Sequence, residues 1–261
     1  MRIVYLVIIN LVFTMSAVAG PEAPKEPDPI CQALFQEYIV RSGKVPTEDI
    51  LAATELIASR GRATGFWKPV LEGLRKVSGW DEIRYVRILG KMLEQDAVAR
   101  DYIKAGGEPQ ADAIVYLPAD IVPELISRAE KAEEYPVDAY VIALVRARDS
   151  RAKDFFQRML ESEKHGGGWS SIKFHAALGL AELGDPSGMQ WLITHSDDDS
   201  PGIINGRPES ASRQNLSSSV MVSLQILSGR RDFKTKTEFE EWWKTAEATW
   251  SPKNHVYLVD R

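Results

Sequence analysis

The sequence predicts an all-α chain of stacked antiparallel helix pairs, on three observations. Apolar residues recur at three- and four-residue intervals through most of its 261 residues, the spacing of one helix face. β-like runs are confined to residues 114–117 and 256–259, and neither has a hairpin partner. A helix–Asp–helix junction also returns along the chain. A content of 44% apolar and 26% charged residues is ordinary for a globular protein and excludes low-complexity disorder.

The N-terminus stands apart. Arg2 precedes an apolar run over residues 3–13, broken only by Asn10, and Ala17-Val18-Ala19-Gly20 follows. A short positive start, about ten apolar residues and an Ala-x-Ala site describe a secretory signal peptide; a membrane span needs about 20 apolar residues. The expected organisation is a signal peptide over 1–20, a proline-rich spacer over 21–29, a helical repeat domain over 30–250 and a tail over 251–261. Cys31 lies too far past the cleavage site to carry a lipid. It is the only cysteine, so no intrachain disulfide can form, and it reads as a small hydrophobe on a helix face. The net charge of −5 becomes more negative once Arg2 leaves with the signal peptide, which argues against nucleic acid as a partner.

Helical stripes then follow in order. Cys31, Leu34, Phe35, Tyr38 and Ile39 share one face, with Gly43 as a stop. Thr47 is a cap, with Glu48 and Asp49 in the first turn. Val70, Leu71, Leu74 and Val77 follow Pro69, tolerated in a first turn. Val86, Leu89, Gly90 and Leu93 form a stripe, as do Val137, Tyr140, Val141, Leu144 and Val145. Thr237 and Glu240 have capping-box spacing beside Phe239, Trp242 and Trp243. Adjacent helical residues point about 100° apart, so one of Trp242 and Trp243 should be buried and the other partly exposed.

The repeat shows at the junctions. Asp96 is followed by Tyr102-Ile103, Asp149 by Phe155-Phe156 and Asp185 by Trp191-Leu192, at the same distances. Each Asp is expected to cap a second helix whose apolar doublet faces the core. An insertion over residues 105–134, with its own helix near 120–132, lengthens the first interval. Such pairs cannot bury their apolar faces alone, so neighbours must stack.

Residues 174–186, Phe-His-Ala-Ala-Leu-Gly-Leu-Ala-Glu-Leu-Gly-Asp-Pro, resemble the core of a HEAT or HEAT-like repeat: a small-residue first helix, a Gly-Asp-Pro turn and an amphipathic second helix. Residues 224–243 resemble a terminal repeat of exported bacterial HEAT-like proteins. The resemblance covers roughly residues 45–245; the junctions at Asp96 and Asp149 lack the Gly-Asp-Pro turn. It implies an α-solenoid (superhelix) used as a scaffold and carries over no catalytic residue.

Motifs with chemical meaning are sparse. Ser170-Ser171-Ile172-Lys173 has Ser-x-x-Lys spacing, but the companions Ser196-Asp197-Asp198 and Lys234-Thr235-Lys236 depart from Ser-Asp-Asn and Lys-Thr-Gly. Asp197-Asp198-Asp199 has the acidity for a hard cation, but Pro208 falls where a calcium loop needs its closing Glu. His165, His175 and His195 lack metal-ligand spacing; His175 is expected in a helix and the other two in loops. Arg84, Arg87 and Lys91 share a helix face, and Arg146, Arg148, Arg151 and Lys153 crowd a turn; they read as wet helix faces rather than as a docking surface. Trp242, Trp243 and Trp250 read as a cap on the last repeat.

The expectation is therefore an exported, secreted or periplasmic, non-catalytic scaffold that binds unidentified proteins. It is expected to be a monomer without cofactor, metal, catalytic residue or retained membrane span. The alternative is an exported all-α hydrolase or lyase with its site in a concave groove. That requires two carboxylates, or a histidine and a carboxylate, brought together on the inner helices. Export predicts a mature N-terminus at Gly20 or Pro21, readable by mass spectrometry of the secreted or periplasmic protein; an intact Met1 on membrane-bound material would contradict it.

Overall fold

Asp28 caps the first helix by accepting the N–H groups of Ile30 (2.8 Å) and Cys31 (3.3 Å). In this computed structural model the described residues are 28–40, 47–61, 64–108, 117–132, 135–162, 169–197, 203–204, 207–208 and 216–258. The expected signal peptide and most of the spacer lie outside them, as do residues 114–116 of the first β-like run.

The described chain is all-helical apart from one short ladder. Its helices are α1 (Pro29–Leu34), continued by a π-helix (Phe35–Val40), α2 (Thr47–Gly61), α3 (Trp67–Leu74), α4 (Glu82–Lys104), α5 (Ile121–Lys131) and α6 (Tyr135–Ala147). They continue as α7 (Lys153–Glu161), α8 (Trp169–Glu182), α9 (Pro186–Thr194), α10 (Leu216–Ser228) and α11 (Lys236–Ala246). Ile203–Ile204 pairs antiparallel with Arg207–Pro208.

Packing follows chain order. Helices α2, α4, α6, α8 and α10 lie each against the next, and α3, α5, α7 and α9 flank them on their sequence neighbours. One apolar core runs unbroken from Cys31 to Trp243. Helices α6 and α8 have almost no wet face: from 136 to 147 every residue but Ala139 is buried, and from 171 to 182 every one but Lys173. Close approach needs small residues: a Cβ on Gly90 of α4 would stand 3.0 Å from the Cα of Ala143 on α6.

Charged side chains bridge the flanking helices. Arg75, just past α3, reaches Glu124 of α5 at 2.5 Å, and Arg158 of α7 reaches Glu130 of α5 at 2.5 Å. Lys153 of α7 meets Asp185 at the start of α9 at 2.9 Å. Lys236 of α11 donates to the Thr194 carbonyl (2.8 Å) and to Asp197 (3.0 Å).

Two junctions behave as expected and one does not. Asp185 accepts the Ser187 N–H at 2.9 Å, after Gly184 at φ 77°, and Pro186 opens α9. Asp149 caps the short 3-10 turn before α7 through the Arg151 N–H, and Phe155 and Phe156 are buried. Asp96, by contrast, caps nothing: it sits buried inside the 23-residue α4, paired with Arg100 one turn on. No Gly or Pro interrupts residues 91–104, so the helix continues, and Tyr102 is exposed instead of facing the core. The last capping box is also displaced. Thr235 and Glu238 form it, not Thr237 and Glu240, because Thr235 is the extended residue from which α11 starts.

Residues 250–258, which close the described chain, form an extended strap across the C-terminal ends of the inner helices. Lys253 N–H donates to the Leu227 carbonyl of α10 at 2.8 Å. Val256 N–H donates to Glu182 of α8 at 2.5 Å. Arg146 of α6 donates to the Leu258 carbonyl at 2.8 Å. His255 stands between Glu182 (2.5 Å) and Asp101 of α4 (3.5 Å).

Trp243 is 4% exposed while Trp242 is partly so, the division expected of adjacent helical residues; Trp250 packs edge-on against Trp243. Trp243→Ala should cost about 3–5 kcal/mol and Trp242→Ala less, by denaturant unfolding. Acid acts on the flanking bridges. Burial opposes it, but Lys153 and Ser187 hold the Asp185 carboxyl below the usual carboxylate range, and Arg75 does the same for Glu124. Both folded values are depressed, so their stabilisation is present above about pH 4 and is lost as pH falls through the folded values. Asp185→Asn should flatten that acid limb of the stability–pH curve; an unchanged slope would remove Asp185 from the account.

Candidate functional site

Folding gathers ionisable groups at two places the sequence did not mark. The first lies where the opening turns of α6 and α8 meet. His175 Nδ1 stands 3.1 Å from Asp138 Oδ1 and 3.5 Å from Ser171 Oγ, and Ser171 Oγ lies 3.3 Å from the same carboxylate oxygen. All three side chains are buried, and Asp138 Oδ2 has no hydrogen-bond partner. A serine, a histidine and an aspartate together suggest a hydrolase, but the geometry is not that of a relay. In a relay the serine and the carboxylate address opposite ring nitrogens; here both address Nδ1. The arrangement ties two apolar helices together through buried polar side chains.

The second place is a surface cleft of about 460 Å³, lined by Glu82, Glu124, Ser127, Arg128, Lys131 and Ala132. It brings two carboxylates into one recess, but only Glu82 stands on an inner helix; Glu124 belongs to the flanking α5. Tyr140 donates its O–H to Glu82 at 2.6 Å; burial first, and then Glu82, push the tyrosine pKa well above its ordinary value. Glu124 is gripped by Arg75 through both oxygens (3.0 and 2.5 Å) and by Arg128 (3.4 Å), which keeps it ionised. A carboxylate that serves as a general acid needs its pKa raised, so Glu124 is built as an ion-pair anchor.

The residues weighed from sequence disperse. Ser171 and Lys173 lie on α8, Ser196 is buried with its O–H on the Ile193 carbonyl, and Lys234 to Lys236 begin α11. Asp197 is exposed and paired with Lys236; Asp198, Asp199 and His165 lie outside the described residues. His195 ends α9 and stacks on Trp191 at 4.0 Å. Among the described residues no group of three or more His, Cys, Asp or Glu is placed to hold a metal ion. No described helix is long and apolar enough to cross a membrane. The basic rows are spoken for: Arg84 donates to the Ile39 carbonyl, Lys91 meets Glu55 and Glu94, and Arg148 meets Asp101 at 3.0 Å. Arg151 pairs with Asp149. Cys31 is fully buried, and burial with Asp28 pushes its thiol up to about 11, which keeps it protonated and unreactive at neutral pH.

Comparison with protein-family models, with curated proteins and with solved structures gives no match. The reading of function therefore rests on the molecule itself.

Glu182 carries a signal in the sequence itself. An acid in the last turn of a helix faces the negative end of its dipole, and on a helix as apolar as α8 it must have dedicated partners. For the first cluster, His175→Ala should destabilise by about 1–3 kcal/mol by stranding the Asp138 carboxylate. His175→Leu combined with Asp138→Leu should cost less than the sum of the single changes, in a double-mutant cycle read by chemical denaturation. Additive costs would show that the two side chains do not interact.

Proposed function

We propose that the chain is an exported, non-catalytic helical-repeat scaffold of α-solenoid type that mediates protein–protein interaction. The observation that carries the reading is the order of packing. Successive inner helices α2, α4, α6, α8 and α10 lie side by side, each with a flanking helix on its sequence neighbour, as repeats that touch only their neighbours require. The signal-like N-terminus adds export, and the HEAT-like residues 174–186 add the family resemblance.

The solenoid makes a claim about propagation. In such a stack, loosening one repeat leaves distant ones protected. Asp185→Ala should speed hydrogen exchange in α8 to α11 and leave α2 and α4 close to wild type. A uniform loss of protection from α1 onward would mean one cooperative globule.

Scaffolding makes a second claim. Val98 and Tyr102 stand exposed one turn apart on α4, and Val222 on α10; a photo-crosslinker at these inner-helix positions should capture protein in the native compartment. The same probe at Glu130, on a flanking helix, should capture little. Equal capture at all positions would sink the interaction reading.

The alternative, an exported all-α hydrolase or lyase, draws its support from the two carboxylates in the cleft beside Tyr140. It requires Glu82→Gln to abolish turnover of some substrate while leaving the fold intact.

A further inference from the structure

The strap is fastened in an unusual way. Trp250, Val256 and Leu258 pack against the edge of the core, but no side chain from Trp250 to Leu258 is fully buried. The strap's other anchors are buried polar groups that belong to the helices. The Glu182 side chain is 1% exposed and meets His255 at 2.5 Å. Its other oxygen accepts the Val256 N–H. The Arg146 side chain, also 1% exposed, donates to the Leu258 carbonyl. Asn254 donates to the Ile226 carbonyl at 3.2 Å.

Two glycines and a left-handed arginine shape the seat. Gly184 and Gly229 end α8 and α10 with positive φ, and Pro252 and Lys253 pass directly over them: a Cβ on either glycine would meet those residues at 3.7 and 3.4 Å. Arg148 holds a left-handed backbone at φ 44°, which turns its guanidinium toward Asp101 (3.0 Å) and the Tyr257 ring (5.9 Å). Helix ends, two carboxylates and two arginines thus read backbone groups and one imidazole of an extended segment. That is how a peptide-recognition surface works: backbone bonds supply affinity and a few side chains supply register.

We propose that the C-terminal ends of α4, α6, α8 and α10 form a binding track for an extended peptide, and that the chain's own strap is its resident occupant. The ligand it takes is a segment with a free backbone N–H over Glu182, an imidazole or cationic side chain one residue earlier, and a carbonyl two residues later over Arg146. The strap binds as a tethered ligand, separable from the helices rather than an integral part of their core. This stands on the strap contacts alone and holds whether or not the chain is a scaffold.

Val256→Pro in the full-length chain removes the N–H donated to Glu182 and weakens the resident strap. A fluorescent synthetic peptide of residues 251–261 should then bind this variant, read by anisotropy. It should bind wild type about tenfold more weakly or worse, because the tethered strap competes at high effective concentration. Adding Glu182→Gln to the proline variant should lower binding about tenfold or more, with helical circular dichroism retained. Equal binding to wild type and variant, or no binding to a folded variant, overturns the proposal. Hydrogen exchange on the wild-type chain decides independently, even if the proline variant fails to fold. The Lys253 and Val256 amides should exchange through a local opening insensitive to low denaturant, while amides in α8 and α10 wait for a larger one. Strap amides that open only with α8 and α10 would make the strap part of the core and refute the tethered-ligand idea.

Discussion

The rest of the structure depends on the all-round burial of α6 and α8. A helix that is apolar on every side has to be surrounded, and the neighbours it requires dictate most of what is seen. α4 and α10 flank the pair within the inner layer, α5, α7 and α9 cover it from the side, and the Ile203–Ile204 segment lies against α8. Gly90, Gly179 and Gly188 are where this crowding is tightest. At Gly179 a Cβ would stand 2.6 Å from the Phe156 ring, and at Gly188 2.5 Å from the Ala181 nitrogen, well inside van der Waals contact. Larger residues there would push helices apart along the centre of the core.

The same burial decides the fate of polar groups. The buried ones on α6 and α8 meet partners: Asp138 with His175 near one end of the helices, Arg146 and Glu182 with the strap at the other. A lone partner removed from such a pair leaves a desolvated charge, which is why buried pairs are costly to break even where they add little when whole. The Asp138–His175 pair is therefore accounted for by folding, and the strap end and the surface cleft by Glu82 are where ionisable side chains meet outside the helices' own packing.

How much of this the sequence revealed follows a physical divide. Local signals were legible: the stripes of α1, α3, α4 and α6, the Gly184-Asp185-Pro186 turn, and the split between Trp242 and Trp243. Each depends on neighbours within a turn or two. Asp96 misled because an aspartate before an apolar doublet looks like a cap whether or not the helix breaks, and nothing in residues 91–104 breaks it. The capping box was misplaced by two residues because Thr235 and Thr237 each have a Glu three positions on, and only the extended backbone at Thr235 chooses between them. The site-like gatherings were illegible for another reason. Asp138 and His175 are 37 residues apart, and Glu182 and His255 are 73 apart, so their meeting is a property of the packing and leaves no spacing to find. The strap's own signal was the β-like run at 256–259, which has no hairpin partner, and Glu182 at a helix C-terminus announced a missing partner.

The two sets of helices also differ in what bridges them, and that decides how each responds to salt. Inner helices touch through rigid, interlocked apolar surfaces whose spacing glycines set. Flanking helices are bridged by long charged side chains, Arg75 to Glu124, Arg158 to Glu130, Lys153 to Asp185, which stretch readily and are screened by salt. Added salt therefore weakens the bridges between flanking helices while leaving the apolar contacts of α4, α6 and α8 intact.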